Sequence, residues 1–340
     1  MHKYLALVAT AGLMACSPTE TEVPAEADAA LAPVSEAEPA AAIIDDEEDA
    51  SPPGTDIRIF ALDWVDGRPV IGEAMGGIFR PGYDNQPFFT PDGTSLLYTS
   101  GDETGETDIW RLDLASGETA PVTQTPGESE YSPRVPPGEA ALSYIYQPPG
   151  GYAGNAYLAN ADNSDRYAAE DLAPVGYYLF SGDMRHVVTF ALGEPNTLQL
   201  IDRMADPETA IHVGDNPGRS FARTLSGDGA WVTLARADTG YAVHRLEFAS
   251  GSIRHGFDLP GDSQDFARIT SPISGVFAFD GFFSAADGRL FYGTVSADAA
   301  ATTLSPAWSE IADLTALGLT DVTRIAISPD SDRIAFVAAD

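Results

Sequence analysis

The sequence predicts an all-β fold, a six-bladed β-propeller whose N-terminal strands complete the C-terminal blade. Three observations carry this prediction. Short apolar runs alternate in and out between turns built from Pro, Asp, Gly and Ser; one turn type recurs at about the period of a blade; and a segment just after residue 54 copies a strand of the first full repeat.

The first full repeat spans residues 84–125. Pro87, Phe88 and Phe89 run into the turn Thr90-Pro91-Asp92-Gly93, and Leu96, Leu97 and Tyr98 follow it. After a loop rich in Gly and acid, Asp108-Ile109-Trp110-Arg111-Leu112-Asp113-Leu114 alternates and stops at Ala115-Ser116-Gly117-Glu118; residues 120–123 close the unit. Pro presets φ, Asp bonds its own backbone and Gly accepts a positive φ, so each cluster reverses the chain. The four runs between them are therefore consecutive antiparallel strands. One such meander cannot bury both faces, so it must repeat.

Taking Asp92 as the marker, weaker copies stand at Pro137, Asp183, Asp228, Asp287 and Asp330, each followed by an apolar run. Examples are Leu142, Tyr144 and Ile145 after the second, and Ile334, Ala335 and Phe336 after the sixth. The step is about 45 residues, within the range of a propeller blade. Only the step from Asp228 to Asp287 is longer, which predicts an insertion in the fifth blade.

Closure follows from the two ends. After Asp330 one more strand remains, so the last blade lacks its outer pair. Thr55-Asp56-Ile57-Arg58-Ile59-Phe60-Ala61-Leu62 copies residues 107–114 at Thr, Asp, Ile and the final Leu, and Pro69-Val70-Ile71 supplies the outermost strand. Pairing of start with end removes the exposed sheet edges that invite aggregation.

Ahead of the propeller, Met1-His2-Lys3 gives a positive start and residues 4–14 an apolar run, the pattern of a secretory signal and too short for an ordinary membrane-spanning helix. Leu13-Met14-Ala15-Cys16 resembles the lipobox of bacterial lipoproteins, and Cys16 is the only cysteine. The resemblance implies that residues 1–15 are removed and that Cys16 is acylated, which anchors the chain to a membrane. Ser17 in place of Asp implies, by the same resemblance, the outer membrane, facing the periplasm. Residues 16–54 carry the lipidated Cys and a linker rich in Pro, Ala and Glu. It lacks Lys and Arg and ends in the acid run Asp45-Asp46-Glu47-Glu48-Asp49. Such a segment cannot bury a core and is expected to be disordered and extended by self-repulsion. Residues 55–340 form the propeller.

Composition excludes several function classes. The formal net charge is −33, from 51 acidic and 18 basic residues, and every basic residue except Lys3 is arginine. Nucleic acid is excluded as a partner, because binding it requires clustered positive charge. With Cys16 lipidated and Lys3 cleaved away, no thiol and no lysine remain for a cysteine nucleophile, a disulfide, a Schiff base or a cysteine zinc site. His186, His212, His244 and His255 lack the helical pair spacing of a zinc protease, and neither a Gly-x-Ser-x-Gly elbow nor a glycine-rich phosphate loop occurs. Asp162-Asn163-Ser164-Asp165 lacks the glycine and distal glutamate of a calcium loop and reads as a turn. No catalytic residue, metal ligand or cofactor is assigned.

The channel is the remaining place for function. Six residues before each marker stand Gln86, Tyr131, Tyr177, Ala222, Gly281 and Arg324, entering the innermost strands. With the neighbours Asn85, Glu130 and Arg223 they form a polar and aromatic rim. Gln86, Tyr131, Tyr177, Arg223 and Arg324 are the ligand-binding candidates, since aromatic and arginine side chains favour interface contacts. The alternative is that they fill the inner ring that any propeller requires.

Gln86-Pro87-Phe88-Phe89-Thr90-Pro91-Asp92-Gly93, followed by Thr107-Asp108-Ile109-Trp110-Arg111-Leu112-Asp113 and Val122-Thr123, resembles the TolB-type propeller repeat, and Ser328-Pro329-Asp330 carries its core again. The resemblance is good over residues 84–145 and at the C-terminus, and weaker over residues 167–285. It implies a propeller scaffold of the cell envelope. Similar propellers cap prolyl-oligopeptidase-like peptidases, but no α/β-hydrolase domain follows Asp340 in this sequence. The expectation is a monomeric, lipid-anchored propeller that binds an envelope protein or peptide. The alternative is a hydrolase or lyase acting on a carbohydrate or peptide in the channel, with carboxylates as acid and base.

Overall fold

A computed structural model of the chain describes residues 54–101, 105–138, 141–151, 154–269, 279–296 and 308–339. The signal peptide, Cys16 and acidic linker expected over residues 1–53 lie outside them. All regular structure among the described residues is β-strand.

Two long strands come first, β1 (Thr55–Val65) and β2 (Arg68–Ile78). The repeat of residues 84–125 folds as an antiparallel sheet of β3 (Tyr83–Phe89), β4 (Ser95–Gly101), β5 (Thr107–Asp113) and β6 (Thr119–Pro121). The next sheet holds β7 (Ser129–Arg134), β8 (Leu142–Gln147), β9 (Asn155–Ala159) and β10 (Tyr167–Ala168). It is followed by β11 (Val175–Phe180), β12 (His186–Ala191), β13 (Thr197–Asp202) and β14 (Thr209–Asp215). Then come β15 (Pro217–Arg223), β16 (Gly229–Ala235), β17 (Tyr241–Glu247) and β18 (Ile253–Asp258). The last complete meander is β19 (Ala267–Arg268), β20 (Phe279–Ala286), β21 (Arg289–Ser296) and β22 (Ser309–Asp313), and β23 (Arg324–Ile327) and β24 (Arg333–Ala339) end the chain. Successive four-stranded antiparallel sheets of this kind make a multi-blade β-propeller.

The two ends of the fold meet in one sheet. β1 lies antiparallel between β24 and β2, with Arg58 opposite Phe336 and Ile57 opposite both Val337 and Ile78. A single parallel pairing, Thr55 with Tyr83, joins this group to β3, so that β1, β2, β23 and β24 with β3–β6 make one eight-stranded sheet.

Local chemistry explains the repeating turns. At the first marker, Thr90 Oγ1 donates to Asp92 Oδ1 at 2.6 Å, while the Thr94 N–H donates to the same oxygen and Gly93 takes φ +70°. Ser181 with Asp183, and Ser226 with Asp228, rebuild the hydroxyl-to-carboxylate bond at 2.6 and 2.5 Å. These bonds hold the Asp92, Asp183 and Asp228 carboxyls below the usual carboxylate range, because each accepts donors in its charged form. In each case the turn joins the first strand of a sheet to the second.

Asp287 is different. Its turn joins β20 to β21, the second and third strands of their sheet. The marker therefore stands one hairpin too late, and Gly281 lies on β20 rather than on the innermost strand.

Each core cluster bridges two sheets that follow one another. Leu97 and Ile109 pack with Leu142 and Tyr144; Ile145 and Leu158 with Tyr178 and Val187; Val188 and Leu200 with Val232 and Leu246; Trp231 and Val243 with Phe282 and Val295. β1 and β24 are packed on both sides: Ile57, Ile59 and Val337 meet Leu96 and Tyr98, whereas Phe60, Ile334 and Phe336 meet Phe283 and Leu290. Burial of these side chains, at roughly 1.5–3 kcal/mol each, adds to the few hydrogen bonds that join neighbouring sheets.

Candidate functional site

The innermost strands β3, β7, β11 and β15 each carry a register irregularity against the next strand. It falls between Asn85 and Phe88, Tyr131 and Arg134, Val175 and Tyr177, and Pro217 and Phe221, respectively. Such bulges bend a strand and re-aim its side chains. Gln86 and Ser132 sit in the first two, both at φ +55°. The Gln86 Oε1 accepts from the Ser132 N–H and from Thr99 Oγ1, each at 2.7 Å, so it ties one bulge to the next. The structure thus places Gln86 as a link between two sheets, with its amide oxygen already engaged.

Beyond the bulges the starts of the inner strands converge. The Tyr83 phenol on β3 lies within electrostatic reach of Arg324 on β23, Tyr177 on β11, Tyr131 on β7 and Arg219 on β15. Only a shared central space brings five innermost strands so close, and we call it the mouth of the channel. Burial, the largest cause, pushes the Tyr83 hydroxyl well above its ordinary value against the opposing pull of Arg324, so it stays protonated and able to donate.

Two of the sequence candidates form a unit there. Arg324 Nη2 donates to the Tyr177 hydroxyl at 2.8 Å, and its Cζ lies 5.5 Å from the Tyr177 ring centroid. Phe190 braces that ring edge-on at 5.6 Å. Beneath them Arg219 grips Asp265, with Nε to Oδ1 at 2.9 Å and Nη2 to Oδ2 at 2.6 Å. Arg219 Nη2 also donates to the Thr323 carbonyl, which accepts from Arg324 Nη1 as well. Asp265 in turn accepts from Ser220 Oγ and lies 3.8 Å from Arg324 Nη1. The result is a held pair of guanidiniums with one carboxylate between them, walled by three tyrosines. Such a surface offers hydrogen-bond donors and flat aromatic faces.

Sequence reasoning placed Tyr131, Tyr177 and Arg324 at the mouth, and the structure brings them together. It missed Tyr83, Arg219 and Asp265. Ala222 instead packs toward the Trp231 cluster, and Gly281 is held against Ile269 and the Tyr292 hydroxyl. Asn85 and Glu130 do not join the rim. Asn85 Oδ1 accepts from the Gln86 N–H, and Glu130 is fully buried, accepting from Thr123 and Thr125 hydroxyls at 3.1 and 2.6 Å. Arg223 is at the other end of β15 from Arg219, roughly 13 Å along the strand.

Burial raises three carboxyls: Asp84 on β3, which accepts from Ser100 Oγ and Arg80 Nε, and Glu130 and Glu170. Burial pushes Glu130 up to about 7, partly opposed by its two threonine donors. Burial likewise raises Glu170 to about 7, although its oxygens accept from the Ala156 and Leu172 N–H groups. Among the described residues no group of three His, Cys, Asp or Glu is arranged to hold a metal. A surface cleft of about 270 Å³, lined by residues that include Arg185, His186, Asp202 and Phe248, is built from strands and loops outside the inner strands.

No protein-family model and no curated protein matches this chain. Among solved structures, the "putative TolB" of Agrobacterium tumefaciens is similar, at 14% identity over 85% of this chain and 99% of that one, with a TM-score of 0.56. TolB of Acinetobacter baumannii superposes at 12% identity over 84% of this chain and 64% of that one, with a TM-score of 0.49. An oligogalacturonate lyase in complex with manganese does so at 11% identity over 72% and 68%, with a TM-score of 0.43. The first of these supports the propeller fold and nothing finer.

Proposed function

We propose that this chain is a six-bladed propeller that binds a protein or peptide at the mouth of its channel, without catalysis, while tethered to the cell envelope through an acylated Cys16. Six blades follow if the eight-stranded sheet is read as two, β3–β6 and the group formed by β23, β24, β1 and β2. Among the described residues six core clusters, each bridging neighbouring groups, support that count. The observation that carries the binding reading is the Arg324–Tyr177 unit over the Arg219–Asp265 pair, open to Tyr83 and Tyr131. Arginine and tyrosine are the residues that dominate protein interfaces, because they combine large contact area with fixed hydrogen-bonding geometry.

The enzymatic alternative requires two carboxylates facing one space as acid and base. In the mouth Asp265 is clamped by Arg219, and the two carboxyls with pKa values near 7 serve loops elsewhere. That arrangement favours binding.

The test is capture from an envelope extract with the full lipoprotein as bait. Tyr131→Ala with Arg324→Ala is expected to lose a specific partner that the wild-type bait retains. A partner held equally by both baits, or turnover of a glycan or peptide that Asp265→Asn abolishes, would reverse the ranking. Labelling with a radioactive fatty acid checks the anchor; Cys16→Ser is expected to abolish it.

A further inference from the structure

The inner strands also end together, and their last residues carry a second cluster. Arg134 closes β7, Arg223 closes β15 and Arg268 closes β19. The Arg134 guanidinium lies 5.8 Å from the Phe88 ring centroid and 5.9 Å from that of Tyr178. Arg223 reaches the Phe180 carbonyl through Nη1 at 3.4 Å. Arg268, 7% exposed at its side chain, donates Nε to Asp280, which also accepts from Trp231 Nε1.

The charges in this cluster do not balance. Arg223 lies within electrostatic reach of Arg134 and of Arg268, and among the described residues no carboxylate acts on Arg134 or Arg223. Both are held below their ordinary pKa, first by burial and then by a neighbouring guanidinium. In a chain with 51 acidic residues, two half-buried arginines without a carboxylate among the described residues are conspicuous. A separate observation points to a missing acceptor: Nη2 of Arg268 is buried and has no hydrogen-bond partner among the described residues. An unsatisfied buried donor on a cation carries a desolvation penalty that an acceptor would relieve. The guanidinium fork matches the two oxygens of a carboxylate or phosphate.

We propose that the end of the channel formed by Arg134, Arg223 and Arg268 binds a small oxyanion, a carboxylate or a phosphate, walled by Phe88, Tyr178 and Phe180. One such anion would face three guanidiniums, of which only Arg268 already has a carboxylate, Asp280. This site lies at the opposite ends of the inner strands from the mouth, and it stands or falls separately from the partner reading above.

Thermal unfolding in the presence of inorganic phosphate or acetate, each titrated at fixed ionic strength against chloride, tests the proposal. A ligand that binds only the native state must raise the midpoint. The midpoint is expected to rise saturably with one of the two anions, and which one identifies the chemistry. Arg223→Gln is expected to raise the half-maximal concentration at least tenfold, and Arg134→Gln to do the same, whereas Arg289→Gln, half-exposed on β21, leaves it unchanged. Should the glutamine variants fail to fold, Arg223→Lys, which keeps the charge and loses the fork, is expected to weaken the response. No rise beyond that in chloride, or a rise that all of the folded variants retain, would overturn it.

Discussion

Asp265→Asn is the perturbation that probes the mouth most sharply. Asp265 accepts three bonds from the Arg219 guanidinium and lies 3.8 Å from Arg324, so the substitution leaves two half-buried cations without their common counter-charge. Removing one partner of a buried ion pair costs about 3–5 kcal/mol. Here side-chain exposures of 22% for Arg219 and 10% for Asp265 admit some solvent, and Asn retains an acceptor, so about 2–3 kcal/mol is expected. That is roughly a 30- to 150-fold shift in the folding equilibrium. Equilibrium urea unfolding at pH 7, followed by tryptophan fluorescence, measures it. Arg219→Met alone is expected to cost a similar amount. The double variant is expected to cost less than the sum by at least about 1 kcal/mol, because the second change removes a charge already stranded by the first. Losses below about 0.5 kcal/mol, or strict additivity, would refute the argument that this pair organises the mouth.

The remaining predictions concern the scaffold. Glu130 and Glu170, raised from 4.5 to about 7, hold protons in the folded chain that they release when it unfolds. Their contribution is therefore complete below pH 4.5 and is lost as pH rises toward 7, by about 2–3 kcal/mol each. Urea midpoints at pH 5 and pH 7.5 should differ less in Glu130→Gln than in wild type. Gln86→Ala removes the acceptor that links two bulges and is expected to cost about 1–3 kcal/mol, with capture of the partner unchanged. Phe336→Ala opens a cavity beside Phe60 in the cluster that packs β1 and β24 against β20 and β21. It should cost about 3–5 kcal/mol in the same assay.

Much of the fold was legible because its punctuation is chemical. A hydroxyl and a carboxylate two residues apart make the same turn at Thr90 with Asp92, Ser181 with Asp183 and Ser226 with Asp228. At Asp287 that hydroxyl is missing, since residue 285 is Ala; the marker there rested on Asp-Gly alone, which states that the chain reverses, not which pair of strands it joins. β19 is only two residues long and offers no periodic signal, so nothing in the sequence marked it as the inner strand. The mouth was half legible for a related reason. Counting back from the marker worked for Tyr131, Tyr177 and Arg324. It failed on β15, where the irregularity between Pro217 and Phe221 moves Arg219 into the place assigned to Ala222. Asp265 precedes β19 and was hidden by the misplaced marker. Glu130 illustrates the remaining limit, since one position along a strand exchanges channel for core.

Site-specific photocrosslinking in the intact envelope tests the binding claim most directly. A photoreactive phenylalanine analogue at Tyr131, in the mouth, is expected to yield one discrete adduct, and the same probe at the exposed Met204 is expected to yield none. An adduct from position 204 equal to that from position 131, or none from position 131, would contradict the account.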